Sequence, residues 1–83
     1  MNIENLVKMA NQIGAFFEAM PDRTQAVADV AAHLQRSWEP RMRAALVAHV
    51  DGQGGDLRAI VRAAVIAHRG ALAPDPAPAD ARG

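Results

Sequence analysis

Apolar residues recur every three to four positions from Ile3 to His68, a period that predicts helices. Placed at 100° steps, Ile3, Leu6, Val7, Ala10, Ile13, Gly14 and Phe17 share one arc of a first helix. Asn2 stands where it can cap that helix, and Pro21 with Asp22 ends it near Met20, because a residue before proline is driven out of the helical region. Asp22 opens the second helix in a capping-box pattern. Its side chain accepts from the amide of Gln25 while Gln25 reaches back, and Val27, Val30, Ala31 and Leu34 repeat behind it until near Arg36. Pro40 suits the first turn of a third helix striped by Met42, Leu46 and Val50 and ending at Gly52. After a loop containing Gly54 and Gly55, Asp56 is placed to cap a fourth helix, with Leu57, Ile60, Val61, Ala64 and His68 on one side and Gly70 closing it. The fold class predicted is all-α, a small bundle of about four helices.

The pattern stops at the segment ALAPDPAPADARG, which has prolines at 74, 76 and 78 and almost nothing large enough to bury. That composition predicts a helical domain over 1–70 and a disordered Pro-rich tail over 71–83. A chain ending at Gly70 is then expected to dock as well as the full one.

With 83 residues, a domain buries only ~60% of the surface its unfolded chain exposes, and is marginal unless stapled or held by a partner. There is no cysteine, which removes disulfides and thiolate metal sites and leaves a neighbouring chain as the stabiliser. Nine basic and nine acidic side chains balance, whereas nucleic-acid and membrane-surface proteins carry a positive excess. The N-terminal run MNIENLVKMANQ has neither a basic leader nor an uninterrupted apolar stretch, so a cytoplasmic chain is expected.

Candidate chemistry is sparse. His33, His49 and His68 fall on three different helices without a second ligand at helical metal-site spacing, and are read as packing or surface residues. Serine occurs once, at 37, outside any Ser, His and carboxylate grouping. The glycine loop follows a helix, not a strand, so it reads as a turn and not a phosphate cradle. Arg58, Arg62 and Arg69 line up as a basic stripe, expected to face water. No catalytic, cofactor-binding or metal residue is predicted in this chain.

Docking signals are stronger. The run HLQRSWEPRMR holds the only tryptophan, and Trp and Arg dominate the energetic centres of protein interfaces. In the first helix, Met9, Phe16 and Met20 widen the apolar arc beyond what one contact needs, Ala10 and Gly14 allow a close helix approach, and Asn11 and Gln12 could hydrogen-bond a partner. The expected partner interface is therefore Met9, Asn11, Gln12, Phe16, Met20, His33, Arg36, Trp38, Pro40, Arg41, Met42 and Arg43. Within it, Trp38 fills a pocket shared between its own Met42 and the partner, and Arg41 and Arg43 reach across the interface without mattering to the core.

The run NLVKMANQIGAFFEAMPD, the following HL, Trp38 with Pro40-Arg41-Met42-Arg43, and the later histidine and double glycine resemble the small delta subunit of soluble NAD-dependent formate dehydrogenases, over residues 1 to about 68. The resemblance implies an accessory subunit without chemistry of its own. It would bind the catalytic alpha subunit, which carries a molybdenum or tungsten bis-pyranopterin centre and iron–sulfur clusters, in a complex that also uses FMN and NAD. Assembly, cofactor insertion or stability of that subunit is the implied role. The competing reading is a small helix-turn-helix DNA-binding regulator gripping phosphates through Arg36, Arg41 and Arg43, which the neutral charge and the apolar Met42, Leu46 and Val50 face oppose.

Overall fold

The first three helices begin where local chemistry meets their unpaired amides. The computed structural model describes residues 2–73, which form α1 (Ile3–Phe17), α2 (Arg23–Ser37), α3 (Pro40–Gly52), α4 (Ala59–Ala67) and a single turn, α5 (Arg69–Leu72). No strand occurs among the described residues. Asn2 Oδ1 accepts from the Glu4 amide at 2.8 Å, Asp22 Oδ1 accepts from the Gln25 amide at 3.1 Å, and Pro40 opens α3 with no amide hydrogen to satisfy. The capping box is only half formed. Gln25 Nε2 turns forward to donate to Asp29 Oδ1 at 2.9 Å instead of reaching back.

Three boundaries differ from those read in the sequence. Helix α1 ends at Phe17, short of Met20, and Met20 N–H closes a turn on the Phe17 carbonyl at 3.0 Å before Pro21. Asp56 does not cap the fourth helix, which starts three residues later. Its carboxylate is taken by His49 Nε2 at 2.7 Å, and the cap comes from α1. There Asn11 Oδ1 accepts from the Arg58 amide at 2.9 Å while its Nδ2 donates to the Asp56 carbonyl at 3.0 Å. Gly70 is not a stop either: α4 breaks at His68, and α5 carries Gly70 on to Leu72. Leu72 is 1% exposed, so the helical unit continues past residue 70 and a chain cut at Gly70 loses part of its core. The predicted tail from Pro74 onward lies outside the described residues.

Helix α4 is the centre of the bundle. Ile60, Val61, Ala64 and Val65 are fully buried, its most extensive pairing is with α2, and it also touches α1, α3 and α5. The core around it is built from Leu6 and Ala10 of α1, Val30 and Leu34 of α2, Leu46 of α3 and Leu72 of α5. Gly14 is why α1 fits so close to α4. A Cβ there would stand 2.7 Å from Val61 Cγ2 and 3.0 Å from Ile60 Cγ2. Ala10 and Gly14 therefore do admit another helix, and it is the chain's own.

The loop between α3 and α4 is tied down by side chains. Gly54 takes φ +65°, and a Cβ there would also come 3.2 Å from Val50 Cα. Arg62 Nη1 donates to the Leu57 carbonyl at 2.7 Å and the Gly54 carbonyl at 3.3 Å. Of the expected solvated arginine stripe, Arg58 and Arg69 do face water while each pairs with a carboxylate, and Arg62 is half-buried against the loop. Arg58 forms a two-pronged pair with Glu18, at 2.6 and 3.0 Å, Arg69 grips both oxygens of Asp51, and Arg62 staples the loop. His49, half-buried, bonds the Asp56 carboxylate.

Candidate protein-docking groove

The arc of α1 is wider than the contact it makes. Leu6, Val7, Ala10 and Gly14 turn into the bundle, and Met9 and Phe16 are left beyond its edge at 40% and 73% exposed. Beside them the chain bends from α2 into α3. Together Met9, Gln12, Ile13, Phe16 and Phe17 of α1, His33 and Ser37 of α2, Trp38 of the bend and Met42 of α3 line an open groove of about 560 Å³. Its surface is mostly apolar, and no carboxylate lines it.

Trp38 forms part of the floor. It is 5% exposed, caps α2 in an extended conformation, and donates its amide to the Leu34 carbonyl at 2.9 Å. Its carbonyl accepts from Arg43 Nη1 at 2.9 Å. The same guanidinium donates to the Gln35 carbonyl at 2.9 Å and, through Nε, to the Leu72 carbonyl at 2.8 Å. Arg43 thus satisfies carbonyls that the ends of α2 and α5 leave without helical partners. The wall between the helices is aromatic: Phe16 and Phe17 meet edge to face at 5.0 Å, and the Phe17 ring lies 6.2 Å from His33.

Of the expected interface residues, Met9, Gln12, Phe16, His33, Trp38 and Met42 gather in this groove. Pro40 is exposed at the start of α3, and Arg36 is exposed on α2 one turn past His33. Arg41 lines a second, smaller depression with Asn2, Asn5, Leu6, Glu39 and Met42. Three of the expected residues are engaged within the chain itself. Asn11 spends both ends of its amide on the loop before α4, Arg43 is held inside the chain, and Met20, past the end of α1, packs half-buried against the core. Trp38 likewise packs into its own chain's core, 5% exposed, while still lining the groove. Ile13, Phe17 and Ser37 line the groove without having been picked out. The apolar period assigns the first two to the core, and Ser37 sits inside the HLQRSWEPRMR run beside Trp38.

Charge is organised away from the groove. Hydrogen bonding from Arg58, Arg69 and His49 holds the carboxyls of Glu18, Asp51 and Asp56 respectively below their ordinary range, and Glu18 raises Arg58 in return. Among the described residues no group of three or more His, Asp or Glu side chains could hold a metal ion, and no helix is long and apolar enough to cross a membrane.

The fold and the groove define a small helical domain with an uncovered apolar surface suited to a protein partner. The chain belongs to a family of such subunits: the family model of the NADH-dependent formate dehydrogenase delta subunit FdsD matches residues 5–65. That span contains every groove residue. No curated protein and no solved structure matches the chain. Membership makes it a formate dehydrogenase subunit, one of several chains in a complex. Nothing favours the DNA-binding alternative, and Arg43, one of the three arginines it relies on, is engaged inside the chain.

Proposed function

We propose that this chain is an accessory subunit that performs no chemistry itself and docks through the Met9–Phe16 flank of α1 and the Trp38 bend onto the catalytic alpha subunit of formate dehydrogenase. On this reading the partner carries the molybdenum or tungsten bis-pyranopterin centre and iron–sulfur clusters, the complex uses FMN and NAD in the cytoplasm, and the delta chain supports assembly, cofactor insertion or stability. The observation that carries the proposal is Phe16, an aromatic ring 73% exposed at the edge of an apolar groove in a protein with very few aromatics. An uncovered ring beside a buried tryptophan is the arrangement expected of an anchor and its pocket.

The experiment replaces Phe16 with Asp in the full chain and measures what copurifies. Because the ring contributes little to the core, helicity should be unchanged, while the yield of catalytic subunit and its molybdenum or tungsten content should fall. Wild-type yield and metal content with Phe16→Asp would remove the groove from the interface.

A further inference from the structure

The cations of the described residues divide by position. Arg43, Arg58, Arg62 and Arg69 are all engaged by carbonyls or carboxylates within the chain. Arg23, exposed at the start of α2, makes no hydrogen bond or ion pair among the described residues and acts only through its charge on Glu18. Lys8, Arg36 and Arg41 are exposed and make no hydrogen bond or ion pair among the described residues. These three flank the groove: Lys8 precedes Gln12 by one turn of α1, Arg36 follows His33 on α2, and Arg41 adjoins Met42 on α3. Three carboxylates lie on the same side, and Glu4 precedes Lys8 by one turn of α1. Asp29 is occupied by Gln25 Nε2, and Glu39 lines the neighbouring depression with Arg41.

We infer that the partner element seated in the groove is an amphipathic helix whose apolar stripe is flanked by Asp or Glu side chains. The inference rests on the docking reading above and specifies its chemistry. From Met9 to Phe16 the groove follows two turns of α1, about 10 Å, enough for the anchors that one helix presents at i, i+3 or i+4, and i+7. Unpaired cations on the rim of an apolar groove reward carboxylates at the edge of that stripe, and rim charges act mainly by steering the encounter. A second copy of this chain fits less well, because it would bring the same Lys8, Arg36 and Arg41 against themselves.

The test uses the full chain and formate dehydrogenase purified from cells lacking it, with association rates read at roughly 50 and 500 mM salt. The wild type should associate about tenfold faster at the lower salt, and Lys8→Glu with Arg36→Glu and Arg41→Glu should abolish that advantage. Should the triple reversal disturb the circular dichroism spectrum, the corresponding triple alanine variant reads the same salt dependence. Wild-type rates for the charge variant at both salts overturn the acidic helix. The docking reading is judged separately by Phe16→Asp: loss of binding there alongside a normal charge variant leaves the groove standing with an uncharged partner, whereas normal binding by both removes the groove as well. Salt-sensitive capture of duplex DNA, or a doubling of mass with concentration that the charge variant abolishes, also overturns it.

Discussion

Around the loop between α3 and α4 polar groups close on one another, whereas along the outer flank of α1 apolar groups are left facing water. At the loop, Asn11, His49, Arg58 and Arg62 each bond a partner brought from another part of the chain. At the flank, Phe16 forgoes roughly 1.5–3 kcal/mol of burial that a ring of its size would gain in a core. Loose packing does not explain the difference, because the same helix buries Ala10 completely and admits α4 to within a methyl group of Gly14. The uncovered area follows from the width of the apolar arc on α1, which exceeds what the other helices cover. On the proposed docking reading, polar groups satisfied within the chain and an apolar surplus left outside are what a subunit held by a partner would show.

Trp38 and Phe16 give the sharpest way to break this comparison, since both line the groove and only one is buried. Trp38→Ala should cost about 3–5 kcal/mol of stability, enough to unfold a marginal domain. Phe16→Ala should change stability by no more than about 0.5 kcal/mol while weakening docking by ~2 kcal/mol or more. Urea denaturation followed by circular dichroism reads the first quantity and titration of the partner subunit the second. Equal destabilisation by the two variants would mean that the groove is part of the core.

The next effect concerns the end of the described chain. Ending the protein at Gly70 removes Leu72, with its buried side chain and the carbonyl that Arg43 Nε reaches at 2.8 Å, and should cost about 2–5 kcal/mol by the measure of a buried leucine lost. Ending it after Ala73 should leave the melting temperature unchanged. If the two truncations melt alike, α5 contributes nothing to the bundle.

The starts of α1, α2 and α3 were legible because their caps lie within the same few residues: Asn2, Asp22 and Pro40. The start of α4 was not, since its cap, Asn11, comes from 47 positions away. Asp56 looked like the local cap and is instead the partner of His49. The inward role of Arg43 was hidden for the same reason, its acceptors belonging to α2, the bend and α5. Six of the nine groove residues could be read from the breadth of the α1 arc and the run around the lone tryptophan. Met20 was misplaced because helical angles were extended past the point where the helix stops.

A smaller effect sharpens the tight side of the comparison. Gly14→Ala gains about 1 kcal/mol of helix propensity, but its methyl meets the fully buried Val61 and Ile60, and overpacking of that kind costs about 1–3 kcal/mol. A net loss near 1 kcal/mol is expected as a lower urea midpoint. Gly52→Ala is the control, because a Cβ there meets nothing within 4 Å and the residue ends α3. A rise in midpoint for Gly14→Ala would show that α4 can retreat from α1 without loss.

The smallest expected effect is acid weakening of the polar ties around the loop. Glu18, Asp51 and Asp56 are each held below their ordinary range by a basic partner, so they bind protons less readily folded than unfolded. Their stabilisation is complete above the unfolded carboxylate range near about pH 4 and disappears as the pH falls through the lower, folded values. All three pairs are solvent-exposed, so the melting temperature should decline only slightly, and the decline should shrink in high salt. Melting curves from neutral pH downward, repeated on Glu18→Gln with Asp51→Asn and Asp56→Asn, isolate the contribution. The triple amide variant should start lower and fall less. A decline beginning near about pH 6, or one as steep in the variant as in the wild type, would place the acid sensitivity somewhere other than these pairs.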